Sequence, residues 1–109
     1  MKEVTSTEDF KKVLEQGKPI LLDFYADWCG PCQAQLPIVE TLAEQHKGDF
    51  IIAKVNVDKN GALAQEFRVR SIPALFIIAD GMVKEGLVGL QSKAVLDQKI
   101  HKYSNSVSH

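Results

Sequence analysis

Residues 20–32 read "ILLDFYADWCGPC", and this stretch decides how the whole chain is interpreted. Apart from Asp23, residues 20–26 are apolar at odd and even positions alike, which is typical of a parallel strand in a sheet covered on both faces. A helix is predicted over residues 30–46, and residues 50–57, "FIIAKVNV", form a second strand of the same kind. A strand, a helix and a strand in this order predict a right-handed crossover between parallel strands.

The N-terminal segment predicts a further helix. Residues 5–19 read "TSTEDFKKVLEQGKP", in which the apolar positions share one helical face and a glycine and a proline follow. Thr5 with Glu8, or Ser6 with Asp9, has the spacing of an N-terminal cap. The two caps differ by one residue in where the helix begins.

The segment after residue 57 predicts a short helix, a hairpin and a last helix. The short helix lies near residues 62–67. Asp80-Gly81 is a strong hairpin signal and pairs residues 72–79 with residues 82–90 as antiparallel strands. Ser92 caps the last, amphipathic helix. The fold class is therefore α/β, with a mixed sheet covered by helices on both faces.

Size and composition favour one soluble domain over residues 1–109, with a short polar tail at residues 104–109. The chain has 45% hydrophobic residues, which is enough for a core, and a net charge of −1 from 13 basic and 14 acidic residues. Because the charges are mixed along the chain, we expect neither nucleic acid nor a membrane as a partner. The polar, acidic N-terminus is unlike a signal peptide, so we expect a cytoplasmic protein.

The only two cysteines, Cys29 and Cys32, admit three interpretations: a structural crosslink, a metal clip or a redox pair. A crosslink over four residues contributes about 2 kcal/mol and constrains little beyond one helical turn. A structural zinc site needs four ligands, and His46, His101 and His109 are not spaced to supply the missing two. We interpret these histidines as solvated surface residues.

Redox chemistry fits the position of the pair, between a strand and the helix that follows it. Positions three apart on a helix share a face, so the two sulfur atoms can meet. The positive end of the helix stabilises a thiolate there. Pro31 suits the first turn, and Gly30 leaves room for another chain to approach. A C-x-x-C motif beside a strand–helix–strand pattern therefore favours redox chemistry over the other two interpretations.

Asp23 and Lys54 each interrupt an apolar strand, and the two predicted strands are parallel neighbours. Because Asp is rarely buried without a partner, we expect Lys54 to pair with it. One interpretation is a buried ion pair kept for packing. The other is a carboxylate whose pKa is raised by desolvation and which moves the proton of Cys32. Pro73 opens the strand "ALFII", and from the residues alone its peptide bond is expected to be trans.

Four segments together carry a resemblance to a known family. "DFYADWCGPC", "AKVNVDKN", "RSIPALFII" and "DGMVKEGLVG" resemble thioredoxin segments in order and separation, over roughly residues 8–103. The resemblance implies the thioredoxin fold, a mixed five-stranded sheet flanked by four helices. The chain departs from the family at Tyr25, where tryptophan is common, and at Gln33, where many members carry a basic residue.

The resemblance also implies an activity, protein-disulfide reduction by dithiol–disulfide exchange, and a role for each matching residue. Cys29 is the attacking thiol and Cys32 the resolving thiol. Asp23 is the buried acid beneath them, Lys54 is its neighbour, and Pro73 is a cis-proline facing the disulfide. The substrate-docking positions that the motifs imply are Trp28, Gly30, Pro31, Ile72 and Gly89.

Partners and cofactors follow from the same resemblance. It implies disulfide-containing protein substrates, a monomer, no bound metal or organic cofactor, and electrons from NADPH through a thioredoxin reductase. Two alternatives stay open: a disulfide oxidant or isomerase of an oxidising compartment, and a non-catalytic interaction subunit. Gly-Pro between the cysteines argues against the first. The second would need neither the cysteines nor Asp23 and Pro73.

Overall fold

One mixed sheet organises the molecule. The computed structural model describes the backbone of residues 1–107 and the side chains of residues 1–104. Its strands are β1 (Lys2–Glu3), β2 (Ile20–Tyr25), β3 (Ile51–Asn56), β4 (Ala74–Ala79) and β5 (Met82–Val88). They lie in the order β1-β3-β2-β4-β5. The first three strands are parallel, whereas β4 and β5 run antiparallel to their neighbours.

Four helices flank this sheet within the described residues: α1 (Thr7–Glu15), α2 (Gly30–Gln45), α3 (Gly61–Glu66) and α4 (Lys93–Val107). Helices α1 and α3 pack on one face, where Leu22 and Phe24 of β2 belong to the core. Helices α2 and α4 pack on the other face, against Leu21 of the same strand. Strand β2 is central and covered on both sides, which confirms the interpretation of its apolar pattern.

Strand β1 was not predicted from the apolar pattern. It consists of Lys2 and Glu3, which pair with Ala53 and Lys54 of β3. The Val4 N–H extends this edge by donating to the Lys54 carbonyl at 2.9 Å. A strand of two charged residues has no hydrophobic periodicity, so only the count of five strands implied by the resemblance pointed to it.

Serine side chains cap the N-terminal ends of two helices. The Ser6 hydroxyl accepts the Asp9 N–H at 3.0 Å, which selects the second of the two predicted caps for α1. The Ser92 hydroxyl accepts the Val95 N–H at 3.2 Å at the start of α4, as predicted. Helix α4 continues through residues 104–107 of the predicted polar tail, and residues 108–109 lie outside the described residues.

The predicted hairpin is confirmed at the turn between β4 and β5. Asp80 and Gly81 have φ values of 56° and 73°, both in the left-handed region. A two-residue turn of this kind needs positive φ at both central positions, which aspartate tolerates and glycine favours. The turn lies at the end of β4 opposite to Pro73, and so away from the cysteines.

Candidate functional site

The two cysteines lie where β2 ends and α2 begins, and they are joined by a disulfide bond. Cys29 is the N-cap of α2, and its sulfur atom accepts the Cys32 N–H at 3.2 Å. Cys32 is fully buried, whereas Cys29 keeps 5% of its surface exposed. The first turn of the helix therefore directs a backbone donor at the Cys29 sulfur, an arrangement that favours its thiolate after reduction.

The loop before β4 forms the wall of the site next to Cys29. The Ile72 carbonyl oxygen lies 3.8 Å from the Cys29 sulfur. The Ile72–Pro73 peptide bond is cis, which confirms the expectation from the resemblance and contradicts the trans bond expected from the residues alone. Pro73 is buried, and its carbonyl accepts the Gly89 N–H at 2.8 Å. The loop after β5 is thereby held beside the loop that contacts the disulfide.

An exposed surface surrounds the disulfide. Trp28 is 72% exposed, and its indole N–H donates to the Asp58 carboxylate at 2.8 Å. Gly30 is exposed, and a Cβ atom added to it would meet no atom within 4 Å. Pro31 is exposed in the same turn. A groove of about 160 Å³ beside the disulfide is lined by Trp28, Val57, Ala64, Val69, Arg70 and Ile72.

Asp23 is a fully buried carboxylate on the face of β2 that α2 covers. Neither of its carboxylate oxygens has a hydrogen-bond partner among the described residues. Tyr25, two residues further on the same face, packs in one cluster with both cysteines. Burial raises the pKa of Asp23 to about 7, although the charge of Lys54 opposes the rise. The carboxyl group can therefore gain or lose a proton near neutral pH.

Lys54 does not form the expected ion pair with Asp23. The two residues are neighbours in the β2–β3 register, but the Lys54 Nζ lies 3.8 Å from the Glu3 carboxylate and 5.4 Å from the Tyr25 ring centroid. The Tyr25 hydroxyl donates to Glu3 at 2.7 Å. Glu3 and Lys54 stay partly exposed, so this arrangement avoids the cost of burying both charges.

Glu3 is therefore a site residue that the sequence analysis missed. Its place in the register, opposite Lys54, depends on β1, which has no hydrophobic signal. Burial and the Glu3 carboxylate raise the pKa of Tyr25 above its usual range, so the hydroxyl keeps its proton for this bond. Asp58 was missed too, because its contact with Trp28 joins residues far apart in the chain.

We expect the substitution Lys54→Met to raise the pKa of Asp23 above 7, because the one positive charge that lowers it is removed. Carboxyl NMR of the oxidised protein, titrated from acidic to alkaline pH, measures this value directly. Lys2→Met is the matched control, because it removes the same charge from a lysine whose partner is Asp9. An unchanged or lower pKa in the Lys54 variant would contradict the assigned interaction.

His46 corrects a second expectation. The sequence predicts a solvated residue, but the His46 side chain is only 15% exposed and its Nε2 lies 3.0 Å from the Asp97 carboxylate. Lys93 contacts the same carboxylate at 2.8 Å. His101 is exposed, as expected, and His109 lies outside the described residues. The His46 contact joins the C-terminal end of α2 to α4, at the opposite end of the helix from the cysteines.

Two further features are absent from the part of the chain that the structure describes. In residues 1–104, whose side chains are described, no three His, Cys, Asp or Glu side chains come together as metal ligands. None of the helices within residues 1–107 has the length and apolar character needed to cross a lipid bilayer.

Comparisons with known proteins agree with this geometry. The family model described as thioredoxin matches residues 1–102. A thioredoxin from Chlorobaculum thiosulfatiphilum is 40% identical over 101 residues, which cover 93% of this chain and 94% of that protein. A bifunctional thioredoxin reductase/thioredoxin from Mycobacterium leprae is 40% identical over 94 residues, covering 86% of this chain and 20% of that protein. The solved structure of a mutant thioredoxin from Halobacterium salinarum NRC-1 matches with a TM-score of 0.88 and 44% identity, covering 94% of this chain and 89% of that one.

Proposed function

The chain belongs to the thioredoxin family of protein-disulfide oxidoreductases, and from this premise we propose that Cys29 is its attacking thiol and Cys32 its resolving thiol. Its function is the reduction of protein disulfides by the Cys29–Cys32 pair. The observation that supports the assignment is the asymmetry of the pair. Cys29 has some exposed surface and a helix N–H directed at its sulfur, whereas Cys32 is fully buried.

The first step is attack by the Cys29 thiolate on one sulfur of a substrate disulfide. The substrate S–S bond breaks, a Cys29–substrate disulfide forms, and the second substrate sulfur leaves as a thiolate that takes up a proton. The thiolate is favoured before this step because the Cys32 N–H donates to the Cys29 sulfur. Attack therefore needs no residue to remove a proton at that moment.

The second step resolves this mixed disulfide. Cys32 gives its proton to the Asp23 carboxylate, and its sulfur attacks the Cys29 sulfur. The bond between Cys29 and the substrate breaks, and the second substrate thiolate leaves and takes up a proton. The substrate has gained two electrons and two protons, and the Cys29–Cys32 disulfide has formed. A carboxyl group with a pKa of about 7 suits this transfer at neutral pH.

Substrates dock, in this proposal, on the surface around Cys29. Trp28 and Ile72 line one groove, and the Ile72 carbonyl oxygen lies 3.8 Å from the Cys29 sulfur. Gly30 and Pro31 form the exposed turn between the cysteines, where a substrate chain can approach without meeting a side chain from Gly30. The loop at Gly89 continues this surface and presents two exposed apolar neighbours, Val88 and Leu90.

We also propose how the disulfide is reduced again. Two electrons come from NADPH through a thioredoxin reductase, a partner supported by the Mycobacterium leprae relative, whose name joins reductase and thioredoxin in one protein. We propose that the chain acts as a single-domain monomer, because both cysteines and Ile72 of the docking surface pack together within one chain. A cytoplasmic location fits a reductase, since thiols are kept reduced there.

Two measurements test the function. One is the reduction of insulin disulfides, driven by NADPH and a thioredoxin reductase. The other is the reduction potential of the Cys29–Cys32 pair. We expect turnover and a potential close to about −270 mV, against about −120 mV for a strong disulfide oxidant. The value of about −270 mV is the reference potential of thioredoxin and does not come from this structure. A potential near that of the oxidants would overturn the assignment as a reductase. The Cys29→Ser variant is the control and should show no turnover.

A further inference from the structure

Gln35 is a fully buried polar side chain that the mechanism above does not use. It lies on α2, one turn after Cys32. Burying an amide costs free energy unless both its donor and its acceptor find partners. Both ends of Gln35 are satisfied by one residue, Gln91, which lies 56 positions away in the chain. Such a buried pair of hydrogen bonds fixes the distance between two elements.

The two hydrogen bonds act on the backbone of the loop after β5. The Gln91 N–H donates to the Gln35 side-chain oxygen at 2.7 Å, and the Gln35 Nε2 donates to the Gln91 carbonyl at 3.0 Å. The Gln91 side chain in turn donates to the carbonyls of Val88 and Gly89, at 3.3 and 3.1 Å. The loop thus has few backbone groups free to rearrange without losing a partner.

The same loop is attached to the site from its other side. The Gly89 N–H donates to the Pro73 carbonyl at 2.8 Å, and Gly89 has a φ of +89°, a conformation that favours glycine. Val88 and Leu90 are 69% and 51% exposed at its surface. One end of the loop is therefore held by the Pro73 segment and the other by the helix that begins at the cysteines.

We propose that Gln35 is a positioning residue that holds the loop at residues 88–91 in place relative to the redox helix, and so determines how well protein substrates dock. The inference rests on the proposed docking surface. A protein disulfide must fit Cys29 and the loop at once, so a displaced loop weakens its binding. A small disulfide touches only the sulfur and the adjacent turn, so it does not depend on the loop.

The Gln35→Met substitution keeps the size of the side chain and removes both hydrogen bonds. The prereduced protein is mixed with insulin or with hydroxyethyl disulfide, quenched with acid and analysed by mass spectrometry. We expect the rate constant with insulin to fall about fivefold to tenfold and that with hydroxyethyl disulfide to change by less than about twofold. An unchanged rate with insulin, or an equal fall for both disulfides, would overturn the inference.

Two further variants distinguish a wrong positioning role for Gln35 from a wrong docking surface. Gln35→Leu also removes both hydrogen bonds and should show the same selective loss with insulin, so it replaces the Met variant if that one does not fold. Leu90→Lys alters the exposed surface of the loop and leaves Gln35 in place. If Leu90→Lys slows the reaction with insulin and Gln35→Met does not, the positioning role is wrong. If neither does, the docking surface itself is wrong.

Discussion

Replacing Cys32 by serine will turn the protein into a covalent trap for its substrates. Cys29 keeps its exposed surface and the N–H of residue 32, so its attack on a substrate disulfide should survive. Release needs a second thiolate at the Cys29 sulfur, and the chain has no third cysteine. A tethered, aligned group can act at an effective concentration on the order of 10⁵ M, which no free thiol in solution reaches. The mixed disulfide should therefore persist.

To test this, prereduced Cys32→Ser protein is incubated with a cell extract. The adducts of high mass that a reductant releases are then counted. Cys29→Ser is the matched control, because it also leaves one thiol, but a fully buried one. We expect many adducts with the first variant and few with the second. Equal capture by both variants would contradict the assignment of attacker and resolver. Capture by neither would contradict exchange through a mixed disulfide.

The second large effect is expected for Asp23→Asn, which should stabilise the protein at alkaline pH and slow its chemistry. The native pKa of Asp23 is about 7, against an ordinary value of 3.8, so the native state binds this proton more tightly than the unfolded state. Stability is therefore lost as the pH rises from 3.8 through 7. The whole pKa difference corresponds to about 4 kcal/mol in the free energy of unfolding. This is the largest increase in stability that the Asp23→Asn variant can show above pH 7.

Urea unfolding of the oxidised protein at several pH values measures the difference between the wild type and the Asp23→Asn variant. Asp97→Asn is the control of opposite sign, because Lys93 and His46 hold the pKa of Asp97 below its usual value. That variant should lose stability at neutral pH. A difference between the wild type and Asp23→Asn that does not vary with pH would contradict the raised pKa.

The same variant tests the proton transfer. Without a group to accept the Cys32 proton, we expect resolution of the mixed disulfide to slow about a hundredfold at neutral pH. Stopped-flow measurement of substrate release, with the wild type run in parallel from pH 6 to 9, gives this rate. Equal rates in both proteins across this range would show that Asp23 serves packing alone.

The fold could be predicted where the chain carries a local pattern. Strand β2 and helix α2 follow from an apolar run, a glycine-proline turn and the residues after it, and the Asp80-Gly81 turn follows from its two residue types. Strand β1 could not be found in this way. Its two charged residues are ordered by pairing with β3, a contact over about fifty residues that leaves no trace in the local sequence.

The residues of the site could likewise be predicted where the local sequence is unusual, but their long-range contacts could not. The cysteines and the buried Asp23 stand out because a thiol pair and a carboxylate in an apolar strand are unusual. The partner of Lys54 was predicted wrongly, because Asp23 is its neighbour in the register on one side and Glu3 on the other, and only the unseen strand decides between them. Gln35 also left no signal, since "QAQLP" does not reveal that one of its glutamines is buried against the loop at Gln91.

The hairpin turn at Asp80-Gly81 has a practical consequence for anyone who wishes to equip this protein with a second module. Both residues are exposed, and the six residues of β4 separate them from the Pro73 end of the strand by about 20 Å. Exposed loop tips are where inserted sequences are best tolerated. A binding peptide or a fluorescent label introduced at this turn would point away from the disulfide, so a substrate could still reach Cys29 while the label reports on the complex.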